Sequence, residues 1–241
     1  MKRALTLLIA LGLVAGSAGV ANAQNLLSNG SLDLPGGGLV IQDWTKDEFK
    51  TLSGDTTDLI SLEGFIAIGP DTNPGDLGGF LKAFQGNPTT GDLATVHVYQ
   101  DVAGTPGQKY ALTGWFGAGV NYSGLLDPTA TQTQLAIEFD DDNDRDNGIL
   151  GDSILDVQAA GLSSGGCCDF GAHAFTVTGT ALAGTTVVRA RFSAIDMFST
   201  VNPDQAAFVD DFSLTAVPEP ASLALVGLAL VGLIGIRRRS K

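Results

Sequence analysis

The feature that most constrains the fold of this 241-residue chain is a series of short apolar or alternating runs separated by Gly, Asn, Asp and Pro. Alternation is clear where Val96 and Val98 interleave with His97 and Tyr99, because a half-buried strand has a period of two. We find no amphipathic helical pattern of ten residues. The sequence therefore predicts an all-β, antiparallel β-sandwich. The predicted strands lie in segments 59–69, 94–102, 109–119, 133–142, 172–180, 185–195 and 206–214.

The first 23 residues have the features of a secretory signal peptide. A basic tip precedes an apolar run from Ala4 to about Val20, and small residues follow up to Ala23. This pattern predicts export, with cleavage between Ala23 and Gln24. An uncleaved membrane anchor is the alternative, but the run is short and a fitting cleavage site follows it at once.

The last 25 residues, VPEPASLALVGLALVGLIGIRRRSK, form a second terminal segment. Ala221–Ile236 holds sixteen residues without a charge, fewer than the about 20 that a spanning helix usually needs. Its composition of Leu, Val, Ile, Ala and Gly still predicts a short transmembrane sorting helix. Pro218 and Pro220 keep the chain before this run extended. The positive-inside rule keeps the terminal cluster cytoplasmic, and we expect the protein body to face outward. The cluster comprises Arg237, Arg238 and Arg239.

A Pro-Glu-Pro triplet, a short Leu/Gly-rich span and an arginine cluster, in this order, resemble the PEP-CTERM sorting signal. The resemblance implies that an exosortase, a membrane protease-transpeptidase, recognises Pro218, Glu219 and Pro220 and removes the tail. It also implies a Gram-negative bacterium that makes exopolysaccharide. The expected protein is anchored in the inner membrane before processing and then lies at the cell surface or outside the cell. An unprocessed single-pass membrane protein is the alternative.

The remaining body, residues 24–216, is long enough for one domain with its own core. It contains 7 Lys or Arg and 25 Asp or Glu, a net charge of −18. Such a surface repels nucleic acid and anionic lipid and attracts cations, so nucleic acid is excluded as a partner. Solubility is the plainer explanation of this charge, because strong negative charge keeps an exported protein dispersed.

Three fragments of the body resemble the galactose-binding-like jelly roll of bacterial carbohydrate-binding modules. They are NLLSNGSLD at 25–33 with Trp44 following, VYQDVAGTPGQKYALTGWFGAG at 98–119, and FVDDFSL at 208–214. The resemblance implies a jelly roll that serves either as a scaffold or as a sugar-binding module. Leu32 departs from the pattern, since an aromatic residue is usual there.

The same resemblance implies a structural calcium ion held by Asp33 and Asp210, with Asp211 as a further ligand. Asp33 stands where a longer Glu is usual. A hard cation takes six to eight oxygen ligands, and carboxylates from the first and last strands would supply several. By strand parity Asp210 shares a face with Phe208 and Phe212, so an inward carboxylate would need a cation or donors.

An acidic stretch at 139–152, FDDDNDRDNGILGD, is a second candidate cation site. Its sequence supports cation binding less strongly than that of the Asp33 and Asp210 site. Carboxylates occur at alternate positions from Asp142, as in an EF-hand loop, but Asn147 and Ser153 replace the required Gly and Glu. The Asn147-Gly148 dipeptide is a strong turn signal. We therefore expect a solvated hairpin turn, with weak calcium binding as the alternative.

Two adjacent cysteines, Cys167 and Cys168, are the only ones in the chain. In an oxidising exported setting they could form a vicinal disulfide, cross-link two chains or contact a partner during assembly. A metal site is less favoured, because only His97 and His173 could complete it.

Catalytic motifs are missing from the sequence: there is no nucleophile elbow, zinc-protease helix or phosphate-binding loop. We predict that the chain is not an enzyme. Two functions compete: a surface or matrix component associated with exopolysaccharide or biofilm, and a membrane-tethered, lectin-like glycan-binding module. Glycan binding would require a solvent-facing Trp or Tyr on one sheet. Trp44 and Trp115 are expected in the core, which leaves Tyr122, in a loop, as the candidate glycan contact.

Overall fold

The computed structural model describes residues 24–36, 41–55, 58–64, 76–142, 148–162, 164–165, 171–200 and 205–218. Residues 25–216 form one compact unit, and the other unit comprises residues 1–24 and 217–241. Several predicted features lie outside the described residues: the signal peptide up to Ala23, most of the sorting tail (Glu219, Pro220, Arg237, Arg238, Arg239), the cysteine pair Cys167 and Cys168, and loop residues 143–147.

Eleven strands are described, with one short helix and one 3-10 turn. In chain order the strands are β1 (Thr45–Lys50), β2 (Ile60–Glu63), β3 (Gly78–Leu81), β4 (Ala94–Ala103), β5 (Lys109–Gly119), β6 (Gln132–Asp140), β7 (Gly151–Asp156), β8 (Ser164–Gly165), β9 (His173–Thr180), β10 (Val187–Met197) and β11 (Ala207–Val217). The 3-10 turn is Ala83–Gln85 and the helix, α1, is Ser123–Leu126. No described helix is long and apolar enough to cross a membrane.

The strands form two sheets. The first sheet has the order β1-β4-β10-β6-β7, with antiparallel pairs throughout. The second has the order β2-β3-β11-β5, and β5 also pairs antiparallel with β9 and, at its end, parallel with β8. The predicted fold class, an antiparallel β-sandwich of jelly-roll type, is confirmed.

Each of the seven predicted segments contains a strand, but β1, β3, β7 and the two-residue β8 were not predicted. Strands β1 (TKDEFK) and β7 (GDSILD) lie at the two edges of the first sheet. Edge strands commonly carry charged residues that prevent pairing with other chains, so their apolar pattern is weak. Strand β3 has four residues, two of them glycines, and glycine is depleted in strands.

The core lies between the sheets and is centred on aromatic rings. Phe192 from the first sheet stacks on Phe212 from the second, with ring centroids 4.8 Å apart and planes 4° apart. Trp44 contacts both rings at 6.2 and 5.6 Å, as expected for a core tryptophan. Burying each such side chain contributes about 1.5–3 kcal/mol, so these rings hold the two sheets together.

The closing strand β11 contains an irregularity that the sequence analysis missed. Val209 and Phe212 both belong to the main core although they are three residues apart, whereas Phe208 belongs to a second, smaller cluster. Asp211, which lies between Val209 and Phe212, has a φ of 51°, the left-handed conformation of a bulge. The prediction that Phe208, Asp210 and Phe212 share one face is therefore wrong, because an extra residue reverses the alternation.

The three fragments that suggested the jelly roll meet in space. The Asn25 side chain donates to Phe212 O at 3.0 Å and accepts from Leu214 N at 3.0 Å. Gln100 on β4 donates to Ser28 O at 2.9 Å, and its Oε1 accepts from Ser28 N at 2.7 Å. The opening segment is thus fixed to β11 and to β4.

Candidate functional site

The predicted calcium ligands lie in different surroundings. Asp210 is buried, and its Oδ1 accepts a hydrogen bond from Asp211 N at 2.8 Å. Asp33 is partly exposed, and its Oδ1 accepts from Leu77 N at 2.9 Å. In the part of the chain that is described, the three do not form a cluster of ligand atoms within 4.8 Å; the cluster that does form is Asp140, Asp141 and Asp142.

Asp33 has a carboxyl partner that the sequence analysis did not identify. Burial acts to raise the pKa of Asp33, but hydrogen bonds from Asp76, Leu77 and Ser31 outweigh it and hold the pKa below its ordinary value of 3.8. Asp76 is itself buried. Two carboxyl groups in contact need a shared proton or a cation between them. Asp76 lies two residues before β3, and its local sequence does not distinguish it from the other acids.

Tyr122 does not fit the prediction of an exposed glycan contact, which is wrong. Its side chain is fully buried, and its hydroxyl bonds Thr133 Oγ1 at 2.8 Å. Burial raises the pKa of the phenol well above its ordinary value. The loop GVNYSG turns the ring inward because Tyr122 lies directly before α1, which packs this segment against the core.

Trp115 also lies in an unexpected place. Its neighbours on β5, Gly114 and Phe116, face the main core, whereas Trp115 packs on the opposite face of the second sheet against Phe208. The Phe80 ring lies in the same cluster, tilted against Phe208 with ring centroids 5.8 Å apart. These residues form an aromatic patch separate from the main core.

A network of charged and polar side chains lies on the first sheet, opposite the core. We call it the polar face and define it by paired positions of β4, β10 and β6. Alternate residues of the same strands, such as Val98 and Phe192, point into the core. The members of the polar face are His97, Tyr99, Asp101, Glu138, Arg189, Arg191 and Ser193.

Arg189 is the most constrained member of the polar face. Its Nε and Nη2 donate to the two oxygens of Asp101 at 2.5 and 2.6 Å, a bidentate pair. Its guanidinium carbon lies 3.9 Å above the centre of the Tyr99 ring, a cation–π contact. Burial acts to lower the pKa of Arg189, but the hydrogen bonds and charge of Asp101 hold this pKa above its ordinary value. The guanidinium is therefore fixed and always charged.

Arg191 connects the rest of the network. Its Nε donates to Glu138 Oε1 at 2.6 Å, and its Nη1 donates to Ser193 Oγ. The same Ser193 hydroxyl bonds His97 Nδ1 at 2.7 Å. Arg191, Glu138 and Ser193 are almost fully buried, so each charge needs its partner in place.

This arrangement holds its donors and acceptors in fixed positions, and its accessible members, Asp101, His97 and Tyr99, are open to a polar ligand. Each arginine is matched by one carboxylate, so the paired network brings little net charge. The polar face was not predicted from the sequence, although the alternation of Arg189 and Arg191 in VVRARFSAI was its signal. Alternation alone predicts a solvent-exposed strand face. Only the sheet register shows that the arginines on this face form ion pairs.

At one edge of the polar face β6 leads into the acidic stretch. Strands β6 and β7 are antiparallel, with Phe139 opposite Gly151, so the stretch between them connects a hairpin as predicted. An EF-hand loop would be flanked by helices instead. Asp140, at the end of β6, is buried, while Asp141 and Asp142 are exposed.

The family comparison concerns the chain's end. Residues 216–239 match the model of the PEP-CTERM protein-sorting motif. The chain carries a PEP-CTERM sorting signal. This signal implies export, membrane anchoring before processing, and sorting by an exosortase to an extracellular location. Its match begins at Ala216, within the last two residues of β11.

Solved structures resemble the sandwich that precedes the sorting signal. The enzymatically active domain of tailspike protein 4 from bacteriophage CBA120 shares 15% identity over 80% of this chain, with a TM-score of 0.50; the match spans 21% of the tailspike chain. A cyclase from Fischerella sp. TAU shares 14% identity over 82% of this chain and all of the cyclase, with a TM-score of 0.50. These matches show the fold.

Carbohydrate-binding modules are also among the structural neighbours. TmCBM61, solved with β-1,4-galactotriose, shares 12% identity over 81% of this chain and 100% of the module, with a TM-score of 0.46. No curated protein matches the sequence at a significant level. That the chain is not an enzyme stays a prediction.

Proposed function

We propose that this protein is a component of an extracellular polysaccharide layer or biofilm, delivered there by its sorting signal. The observation that carries the proposal is the motif match at 216–239. Before processing the tail holds the protein at the inner membrane. An exosortase then cuts near Pro218, Glu219 and Pro220 and releases the acidic sandwich, whose charge keeps it dispersed in the matrix.

The test is to express the full-length chain in a host with an exosortase and in the same host lacking it. The intact mass of the protein in each fraction shows whether the C-terminal tail is still present. We expect loss of the segment after about Pro220 only when the enzyme is present. Replacing Pro218, Glu219 and Pro220 with alanine should abolish this loss, whereas Ser222→Ala, beside the triplet, should preserve it. An intact tail in both hosts would overturn the proposal and leave a single-pass membrane protein.

The polar face favours a second candidate function, a glycan-binding module. Its arginines, carboxylates and Ser193 hydroxyl are held in place by one another, so little side-chain ordering remains to oppose binding. Tyr99 is partly exposed, and Arg189 covers one side of its ring. Contacts with a glycan would therefore come from the more accessible members, exposed Asp101 and partly exposed His97 and Tyr99, while the buried groups hold these side chains in position.

Retention of the full-length chain on immobilised exopolysaccharide from the host tests this candidate. We expect Tyr99→Ala and Asp101→Asn to weaken retention at least tenfold, because both remove a contact that fixes Arg189. The matched control is Trp115→Phe, which changes an aromatic residue on the other sheet and should leave retention unchanged. Equal retention of all variants would leave the matrix role without a binding site on this face.

We also propose a structural calcium ion between Asp33 and Asp76. Contact between these two carboxyl groups supports the proposal, since a cation could take the place of the proton that joins them. Asp210 and Asp211 of the closing strand are the remaining candidate ligands. We expect calcium to raise the unfolding temperature more than magnesium does, and Asp33→Asn to remove the difference. Asp127→Asn, at an exposed turn, is the control; no calcium effect on the original chain would overturn the site.

A further inference from the structure

One donor atom of the polar face takes no part in the hydrogen bonds described above. Arg189 uses Nε and Nη2 on Asp101, but its Nη1 is buried and has no hydrogen-bond partner among the described residues. The Arg189 side chain is only 8% exposed. A buried guanidinium donor without an acceptor costs free energy, so this atom calls for an acceptor oxygen, from a water or from a ligand.

A small cavity adjoins Arg189. It measures about 10 Å³ and is lined by Glu138, Asp140, Asp142, Ile149, Val187 and Arg189. This volume holds about one oxygen-sized group, a water or a hydroxyl. The carboxylates on its wall accept hydrogen bonds only, whereas Arg189 only donates.

A hydroxyl group satisfies both the arginine donor and the carboxylate acceptors of the cavity, since it accepts one hydrogen bond and donates another. A carboxylate ligand could accept from Arg189 but would meet three acidic side chains, Glu138, Asp140 and Asp142. A metal ion would suit the acids but leave the Arg189 donor facing a like charge. The cavity therefore matches a neutral, hydroxyl-bearing group.

We propose that Arg189 Nη1, with the carboxylates of Glu138 and Asp140, forms a subsite that receives one sugar hydroxyl and selects neutral saccharides over uronates. The inference rests on the proposed glycan binding and adds the class of sugar. Selection arises because the net negative wall repels a uronate carboxylate. The bidentate pair with Asp101 positions Arg189 for this contact.

Calorimetry on the purified full-length chain tests the subsite with three pairs of β-1,4-linked hexasaccharides. Each pair compares a neutral sugar with its C6-oxidised form: mannose with mannuronate, glucose with glucuronate, and galactose with galacturonate. We expect at least one neutral member to bind at least tenfold more tightly than its uronate. Arg189→Lys should weaken that binding at least tenfold, because a lysine ammonium cannot both pair with Asp101 and reach the cavity.

Asp140→Asn gives an independent reading if Arg189→Lys fails to fold. It removes one negative charge from the cavity wall, so the ratio of uronate affinity to neutral-sugar affinity should rise at least threefold. Tighter binding of uronates by the original chain would overturn the inference while leaving glycan binding intact. Unchanged affinities in both folded variants would do the same. Binding of none of the six sugars would overturn both the subsite and the proposed glycan binding.

Discussion

Individual residues in the opening segment have roles that depend on close contacts. A Cβ atom added at Gly30 would lie 2.2 Å from Phe212 O and 2.8 Å from Asn25 Nδ2. Gly30 O also accepts from Phe212 N at 2.7 Å. Glycine is required here by the near approach of two backbones.

We therefore predict that Gly30→Ala lowers the free energy of unfolding by about 1–3 kcal/mol, because the clash forces the opening segment away from β11. Urea unfolding measures the change. Gly64→Ala is the matched control, since its Cβ would meet its nearest neighbour at 3.6 Å, an ordinary contact. Equal destabilisation by both variants would contradict the steric explanation.

Tyr122 gives a second residue-scale prediction. Tyr122→Phe removes the hydroxyl that bonds Thr133 Oγ1 and leaves the ring in place. We expect a loss of about 1 kcal/mol in unfolding free energy, the usual contribution of one buried hydrogen bond. Saccharide binding should not change, because the residue lies in the core. A loss of binding with stability retained would restore Tyr122 as a ligand contact.

The lowered pKa of Asp33 predicts that the free energy of unfolding depends on pH. Its folded pKa lies below the ordinary value of 3.8, so the ionised form stabilises the folded state. This contribution is fully present above about pH 4 and is lost as the pH falls through the folded pKa. The unfolding free energies of the original chain and Asp33→Asn should thus differ at pH 6 and converge toward pH 2. A constant difference would show that the hydrogen bonds do not depend on ionisation.

At the scale of elements, β2 is held by a buried carboxylate from β1. Glu48 Oε1 accepts from Leu59 N and Ile60 N, both at 2.9 Å, and Oε2 pairs with Lys46 at 2.9 Å. These bonds satisfy two backbone donors where β2 begins and join strands of different sheets.

We predict that Glu48→Ala loosens β2 and lowers the unfolding free energy by about 2–4 kcal/mol, since it leaves two backbone donors unsatisfied. Hydrogen exchange at the Ile60 amide should accelerate more than exchange at Val98 in the sheet centre. Glu63→Ala, at the other end of β2, is the control. Uniform acceleration throughout the chain would indicate global rather than local loosening.

Prediction of the elements succeeded where burial leaves a pattern. The central strands β4 and β10 alternate clearly because one side faces the core. Edge strands β1 and β7 were missed because charged side chains obscure the same period. The bulge at Asp211 was missed because an extra residue in one strand has no signal in the alternation until a partner strand is known.

For the whole molecule, the contact of Phe192 with Phe212 connects the two sheets. Phe116 meets Phe212 edge-on at 5.9 Å, and the Trp44 ring packs beside it at 5.6 Å. The second sheet therefore depends on the first for the burial of its central ring, and we expect the sandwich to unfold as one unit.

Phe212→Ala tests this cohesion. We expect a loss of about 3–5 kcal/mol, because the change leaves a cavity between the sheets. Unfolding followed by far-ultraviolet circular dichroism and by tryptophan fluorescence should remain a single coincident transition. Phe84→Ala, at a ring that is 46% exposed, is the control and should cost far less. Two separate transitions would show that the sheets are stable independently.

The sequence by itself determined the fold class and the sorting signal, because both are local patterns: alternation within a strand, and a triplet, apolar span and arginine cluster in order. Only the tertiary structure decided the candidate site. Arg189 meets Asp101, and Arg191 meets Glu138, through strand pairs separated by 88 and 53 residues. Likewise the burial of Tyr122 and the contact of Asp33 with Asp76 depend on packing between distant segments. Such contacts are set by sheet register and loop placement, for which a single sequence carries no local signal.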